Sequence, residues 1–134
     1  MPHQIIEYSA NLESKLSLDA LVGALHTAAA EQDALPLAGL RTRAHRVDHY
    51  RIADEHPDNA FIAVYLRIGQ GRDEATRVAL GKALAQTLTA HVQGALGDGP
   101  IALSYEVQEI DPVTRWNENN LRDHIAARTA DDAG

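Results

Sequence analysis

Apolar and polar positions along the chain describe a strand, a helix and a strand, written twice. The first segment, His3 to Tyr8, is short and carries Ile5 and Ile6, and Asn11 to Ser17 then supplies turn chemistry. From Leu18 the apolar positions Leu18, Leu21, Val22 and Leu25 recur at intervals of three and four, continued by Ala28 and Ala29. That spacing predicts an amphipathic helix, with Ser17 as its N-cap and Asp19 favourable in its first turn. Pro36 and Gly39 mark the exit, and an extended stretch follows from about Leu40 to Arg51.

The second unit has the clearer periodicity. Between Ala60 and Ile68, residues Ile62, Val64, Leu66 and Ile68 fall on one face, while Phe61, Ala63, Tyr65 and Arg67 take the other. Gly69 and Gly71 break the strand, and Asp73 is placed to cap the next helix. Leu80, Leu84, Leu88, Val92 and Leu96 form a row at four-residue spacing, the buried stripe of a long helix. Gly97, Asp98, Gly99 and Pro100 stop it, and Ile101, Leu103, Tyr105 and Val107 alternate as the last long strand. A tail helix runs through Leu121 and Ile125, and a frayed end is expected from Arg128 to Gly134.

Each helix is long enough to be a crossover connection, so the two strands of each half should lie parallel. The halves, about 2–51 and 60–110 with a tail at 111–134, predict one α/β (α+β) domain. Its sheet has four strands in mixed orientation, with two helices on one face. The other face would be bare although it carries Phe61, Ala63 and Tyr65, which predicts oligomerisation.

Composition narrows the function. The 134 residues are 45% apolar, enough for a core without staples. Twelve Lys and Arg against nineteen Asp and Glu leave a net charge of −7, which argues against general nucleic-acid binding. Aromatics make up only 4%, so bases have few stacking platforms. Cysteine is absent, which excludes disulfides, thiolate metal sites and thiol catalysis without fixing the compartment. No apolar run approaches the ~18 residues of a membrane span. Positive charge is almost all arginine, since Lys15 and Lys82 are the only lysines. The guanidinium fork matches carboxylates, so arginine placement matters more than net charge.

The densest charged feature is Arg41, Arg43, His45, Arg46, His49 and Arg51, with 41, 43, 45 and 49 on one strand face by parity. Two readings stand: a local anion site, or an edge strand protected by charge or paired across subunits. Gly69-Gln70-Gly71-Arg72 lies between a strand and a helix start, where an anion is favoured and Arg72 would add a fork. It lacks the other glycines and the lysine of a phosphate loop, so a nucleotide is not implied. A metal site is not expected among the seven histidines: on a strand His45 and His49 stand roughly 13 Å apart. Ser9, Ser14, Ser17 and Ser104 lack the elbow setting of a serine hydrolase. The start, Met1-Pro2-His3, carries one further candidate. Removal of Met1 would leave Pro2 as a free secondary amine, and burial beside arginines would lower its pKa towards that of a general base.

Taken together these pieces resemble the 5-carboxymethyl-2-hydroxymuconate isomerases, a branch of the tautomerase superfamily. The stretches that carry the resemblance are Pro2-His3 with Ile5 to Ser9, Pro36 to Gly39 running into Arg41, Arg43, His45, Val47 and Asp48, and Ala60-Phe61 with Leu66, Ile68-Gly69 and Gly71-Arg72. Leu103-Ser104 with Glu106, and Asn119-Asn120, complete them. The resemblance implies a tautomerase-like fold, a homotrimer with its site at the subunit boundary around the proline, and no metal or organic cofactor. It implies a cytoplasmic catabolic enzyme of homoprotocatechuate (4-hydroxyphenylacetate) degradation, converting a tricarboxylate dienol to its conjugated keto isomer. Pro2 would shuttle the proton, and Arg41 and Arg72 would clamp carboxylates and steady the enol oxygen. Arg43 and His45 match as substrate-binding positions. Gln4 and Arg46 depart from the apolar or aromatic residues expected in the pocket wall. The same proline serves hydratases, dehalogenases and decarboxylases of the superfamily, and a non-catalytic anion-binding trimer or a purely structural subunit would share much of this pattern.

Overall fold

In the computed structural model, which describes the backbone of residues 1–133 and the side chains of 1–130, strand β1 (His3–Ser9) opens the chain. A 3-10 turn (Ala10–Ser14), helix α1 (Leu18–Ala30), a second 3-10 turn (Leu37–Gly39) and β2 (Arg41–Val47) follow. The second half holds β3 (Ala60–Gly69), α2 (Glu74–Leu96) and β4 (Ile101–Ile110), and α3 (Leu121–Ala133) ends the described chain. The sheet order is β2-β1-β3-β4. β1 runs parallel to β2 and β3 parallel to β4, while β1 and β3 meet antiparallel at the centre. Each half therefore contributes one crossover pair, and the antiparallel seam makes the sheet mixed.

The period of two along each strand decides what is buried. Gln4, Ile6 and Tyr8 of β1 and Ile62, Val64, Leu66 and Ile68 of β3 are buried on the helix side. Helix α1 buries Leu21, Leu25 and Ala29, and α2 buries Leu80, Leu84, Leu88 and Val92, each a row of one residue per turn. Each fully buried leucine contributes roughly 1.5–3 kcal/mol of transfer free energy, so these two rows hold the layers together. The helix starts form as the sequence predicts. Ser17 Oγ accepts from Ala20 N at 3.1 Å and Asp73 Oδ1 from Thr76 N at 2.8 Å. Gly97, at φ 58°, closes α2 by donating to Gln93 O at 2.8 Å. On the other face Ile5, Phe61, Ala63 and Tyr65 are only half-buried.

Two boundaries differ from expectation. β2 stops at Val47 rather than Arg51, because its partner β1 ends at Ser9, the residue paired with Val47. Beyond it the chain loops to Asn59, held by Asn11 Nδ2, which donates to Pro57 O at 3.2 Å and to Asn59 O at 2.7 Å. His49 thus leaves the strand face that Arg41, Arg43 and His45 share. The expected frayed end is instead helical through Ala133, since neither Gly nor Pro interrupts an alanine-rich run; Gly134 lies outside the described residues.

Candidate active site

Pro2 is fully buried just ahead of β1, and its carbonyl accepts from Arg41 N at 3.2 Å, which prolongs the β1–β2 ladder. Gly39 leaves the room this requires: a Cβ there would stand 2.9 Å from Met1 Sδ and 3.1 Å from Pro2 Cδ. The segment after β4 folds back over the same place. Asn119 Nδ2 donates to Ala38 O at 2.9 Å, and Arg115 Nη2 donates to the Met1 carbonyl at 3.4 Å. The Met1 amine has its pKa lowered by burial first and then by Arg115, Arg41 and Arg72. An amine at this end of the sheet is therefore pushed towards its neutral form.

On the open face, register sets the electrostatics. His3 pairs with Arg41 on one side and Arg67 on the other, so both guanidiniums share its face. Arg41 Nη2 lies 2.9 Å from His3 Nε2, and Arg43 Nη1 lies 3.2 Å from His3 Nδ1. Burial, then Arg41, Arg43, Arg67 and the terminal amine, lower the His3 pKa to about 4. A neutral imidazole has one acceptor nitrogen, so only one of these arginines is served by it. Arg41 is itself destabilised as a cation by partial burial and by Arg43 and Arg115.

Ion pairing separates the two readings of the arginine cluster. Arg46 pairs with Asp48 at 2.9 Å and lies 3.9 Å from Glu13, a solvated charge on the edge strand, and Arg51 pairs with Glu55 in the exposed loop that follows. Among the described residues, Arg41, Arg43, Arg67, Arg72 and Arg115 have no carboxylate within 4.0 Å. Lys15, Lys82, Arg122 and Arg128 also lack one, but Arg41, Arg43, Arg67 and Arg115 gather with His3 and the chain start, and an anion is what that group lacks. His45 is exposed opposite Glu7, away from the proline.

Arg72 is anchored more than expected. Its Nε and Nη2 donate to Ala34 O at 2.8 and 2.6 Å, and Nη1 donates to Gly69 O at 3.0 Å. Two of its five donor hydrogens remain. The neighbouring start of α2 is already filled by the Asp73 carboxylate, whose pKa is lowered by its bonds to Thr76. An anion at the Gly69–Arg72 turn would gain little from that helix end.

The pocket-wall expectation for Gln4 and Arg46 is corrected. Gln4 is buried on the helix side, bonded to Leu25 O, Thr42 and Tyr105, and Arg46 stands in its ion pairs at the sheet edge. A cavity of about 380 Å³ on the open face is lined by His3, the residue after the proline, and by Arg41, Arg67, Thr114, Arg115 and Trp116 among others. The larger hollow, about 890 Å³ along the Asp48–Asn59 loop, is lined by His49 and Arg51 of the charged cluster but by none of Pro2, Arg41, Arg43, His45 and Arg72. Among the described residues no three His, Cys, Asp or Glu side chains converge as a metal site. Sequence reasoning missed Arg67 and Arg115 as members of the site. Parity places Arg67 on the open face, but its register with His3 is not written in the sequence. Arg115, in a polar segment without periodicity, carried no signal.

The comparisons agree on one family. The family model for 5-carboxymethyl-2-hydroxymuconate isomerase matches residues 2–125. A 5-carboxymethyl-2-hydroxymuconate Delta-isomerase of Escherichia coli is 33% identical over 121 residues, which span 90% of this chain and 96% of that one. A solved 5-carboxymethyl-2-hydroxymuconate isomerase from Deinococcus radiodurans R1 superposes with a TM-score of 0.83 at 32% identity, covering 92% of this chain and 93% of that one. A fused 4-OT symmetric trimer shares the fold alone, at 22% identity and a TM-score of 0.54 over 88% of this chain and 92% of that one.

Proposed function

The chain belongs to the 5-carboxymethyl-2-hydroxymuconate isomerase family, and we propose that it turns the dienol 5-carboxymethyl-2-hydroxymuconate into its conjugated keto isomer with Pro2 as proton carrier. The observation that carries this is the setting of the terminal amine, beside Arg41, Arg72 and Arg115 and without a carboxylate partner. The family match begins at Pro2 itself.

Once Met1 is removed, the Pro2 nitrogen inherits the surroundings that depress the Met1 amine. As the free base it takes the hydroxyl proton of the dienol. The C–O bond becomes a carbonyl, the electron pair moves along the conjugated system, and the ammonium returns the proton to carbon. The amine ends as it began and the product is an isomer. Arg41 holds a carboxylate and steadies charge on the enol oxygen as it forms, and the remaining donors of Arg72 assist. Arg43 backs Arg41 through their shared contact with His3. His45, exposed opposite Glu7, takes no part in this scheme. A trianionic substrate accounts for uncompensated arginines in a protein of net charge −7.

The half-buried apolar face of Ile5, Phe61, Ala63 and Tyr65 supports assembly as a homotrimer, the state of the fused 4-OT neighbour. No described helix is long and apolar enough to cross a membrane, and the reading places the enzyme in the cytoplasm with other catabolic enzymes of small acids. The test is an ultraviolet time course with 5-carboxymethyl-2-hydroxymuconate, on protein shown by intact mass to begin at Pro2. Fast ketonisation that vanishes when Met1 is retained establishes reaction and base together. Equal rates for the two forms would remove Pro2 from the mechanism. Anion binding with no acceleration over buffer would identify a binding protein.

A further inference from the structure

We propose that Arg115 and Arg67 form a second carboxylate subsite beside the Pro2 amine, and that this subsite selects tricarboxylate over dicarboxylate dienols. The proposal deepens the isomerase reading and rests on it for the nature of the substrate.

Three observations converge. First, Arg41, Arg67 and Arg115 all line the 380 Å³ cavity, a volume within the ~300–1,000 Å³ of small-molecule sites. None of the three has a carboxylate partner among the described residues. In an acidic protein that does not follow from a shortage of acids: Glu13, Asp48, Glu55 and Glu109 are engaged with other arginines. Second, Arg115 Nη2 donates to the Met1 carbonyl at 3.4 Å. That carbonyl carbon is bonded to the Pro2 nitrogen, so removal of Met1 takes away the acceptor and leaves the guanidinium beside the free amine. Third, the donors available elsewhere are too few. Arg72 has spent three donor hydrogens on Ala34 O and Gly69 O, and Arg41 shares His3 with Arg43. Three carboxylates need more forks than those two supply.

The two arginines reach the cavity from different elements. Register across the β1–β3 seam puts Arg67 opposite His3, and the turn after β4 brings Arg115 back over Met1. A ligand carboxylate between them would be held from the sheet on one side and from the tail on the other. The carboxymethyl arm is the part of the substrate that a simple dicarboxylate dienol lacks, and it is the arm assigned here to this pair.

The experiment uses protein beginning at Pro2, as wild type and as Arg115→Ala, Arg115→Lys and Arg67→Ala. Steady-state constants are measured for 5-carboxymethyl-2-hydroxymuconate and for the dicarboxylate dienol without the carboxymethyl arm. Calorimetric binding of propane-1,2,3-tricarboxylate and of glutarate needs no turnover. Losing one charge-assisted contact should weaken the tricarboxylates roughly tenfold or more in KM and Kd, and the dicarboxylates less than about twofold. Arg115→Lys should recover only part of this, because an ammonium does not reproduce the fork. Equal losses on both ligand classes, or no loss on either, overturn the subsite. Arg115-dependent tricarboxylate binding without wild-type turnover would sink the isomerase reading and leave the subsite standing. Full turnover with an unaffected Arg115→Ala would do the reverse.

Discussion

Gly39 and Pro2 approach so closely that a Cβ on Gly39 would lie 3.1 Å from Pro2 Cδ. Gly39 has no positive φ, so it is space and not backbone freedom that calls for glycine here. With Met1 gone the contact with the proline ring remains. Gly39→Ala should push the ring by a few tenths of an ångström and lower kcat by roughly tenfold, since misplacing a reacting group by ~1 Å costs about a hundredfold. The thermal midpoint should change little. A variant with wild-type kcat would show that the ring need not sit where Gly39 permits it.

His3 should titrate far from an ordinary histidine. It binds its proton near pH 4 in the folded chain and near 6.5 when unfolded. Between those values the unfolded chain holds the extra proton, so stability falls as pH is lowered from about 6.5 towards 4 and is insensitive to His3 above that window. An imidazole midpoint near 4 by NMR, moving upward when a tricarboxylate fills the cavity, would confirm that Arg41, Arg43 and Arg67 act on one point. A midpoint near 6.5 in the free protein would contradict it.

Arg41 and Arg72 should separate in their costs. Arg41 spends little of its guanidinium on the fold, with a 3.3 Å contact to Gly39 O and one to His3. Arg41→Ala should lose at least about 2 kcal/mol of transition-state stabilisation, near thirtyfold in kcat/KM, with a small change in stability. Arg72→Ala should lose activity and also about 1–3 kcal/mol of stability, because Ala34 O and Gly69 O lose their donors together. Unchanged kcat/KM in both variants would remove both from the site. Circular dichroism melts alongside the kinetics separate the two effects.

Much of this molecule was legible because burial imposes periods. Ile62 to Ile68 and Leu80 to Val92 announced a strand and a helix whose apolar faces could only meet each other. Ser17 and Asp73 announced their caps by residue type. The site was legible at Pro2 and at Arg41, Arg43 and Arg72, through motif resemblance rather than periodicity. What stayed hidden depends on register and on the return of the tail. Arg67 joins the site because it pairs with His3, and Arg115 because a turn after Ile110 reaches Met1. No local pattern encodes either distance. Arg46 misled for the opposite reason: it shares a strand with Arg41 and Arg43, but its parity gives it other neighbours.

The surroundings of Gln4 make it a structural hub rather than part of a pocket wall. Its Oε1 accepts from Tyr105 OH at 2.8 Å, and its Nε2 lies 3.2 Å from Leu25 O and 3.1 Å from Thr42 Oγ1, which in turn meets His26 Nδ1 at 2.8 Å. The chain of contacts ties both edge strands and α1 to the centre of the sheet. Burial pushes the Tyr105 phenol above its ordinary range, so its hydroxyl is a proton donor throughout the working range and needs its acceptor. Gln4→Leu should therefore destabilise the fold by about 1–3 kcal/mol, the cost of a buried hydroxyl left without a partner. Adding Tyr105→Phe should recover much of that loss, because the orphaned group is then gone as well. Substrate constants should move by less than about twofold in either variant, as expected for a residue that touches no ligand. A Gln4→Leu protein with wild-type stability and an altered KM would return Gln4 to the pocket and reopen the identity of the substrate.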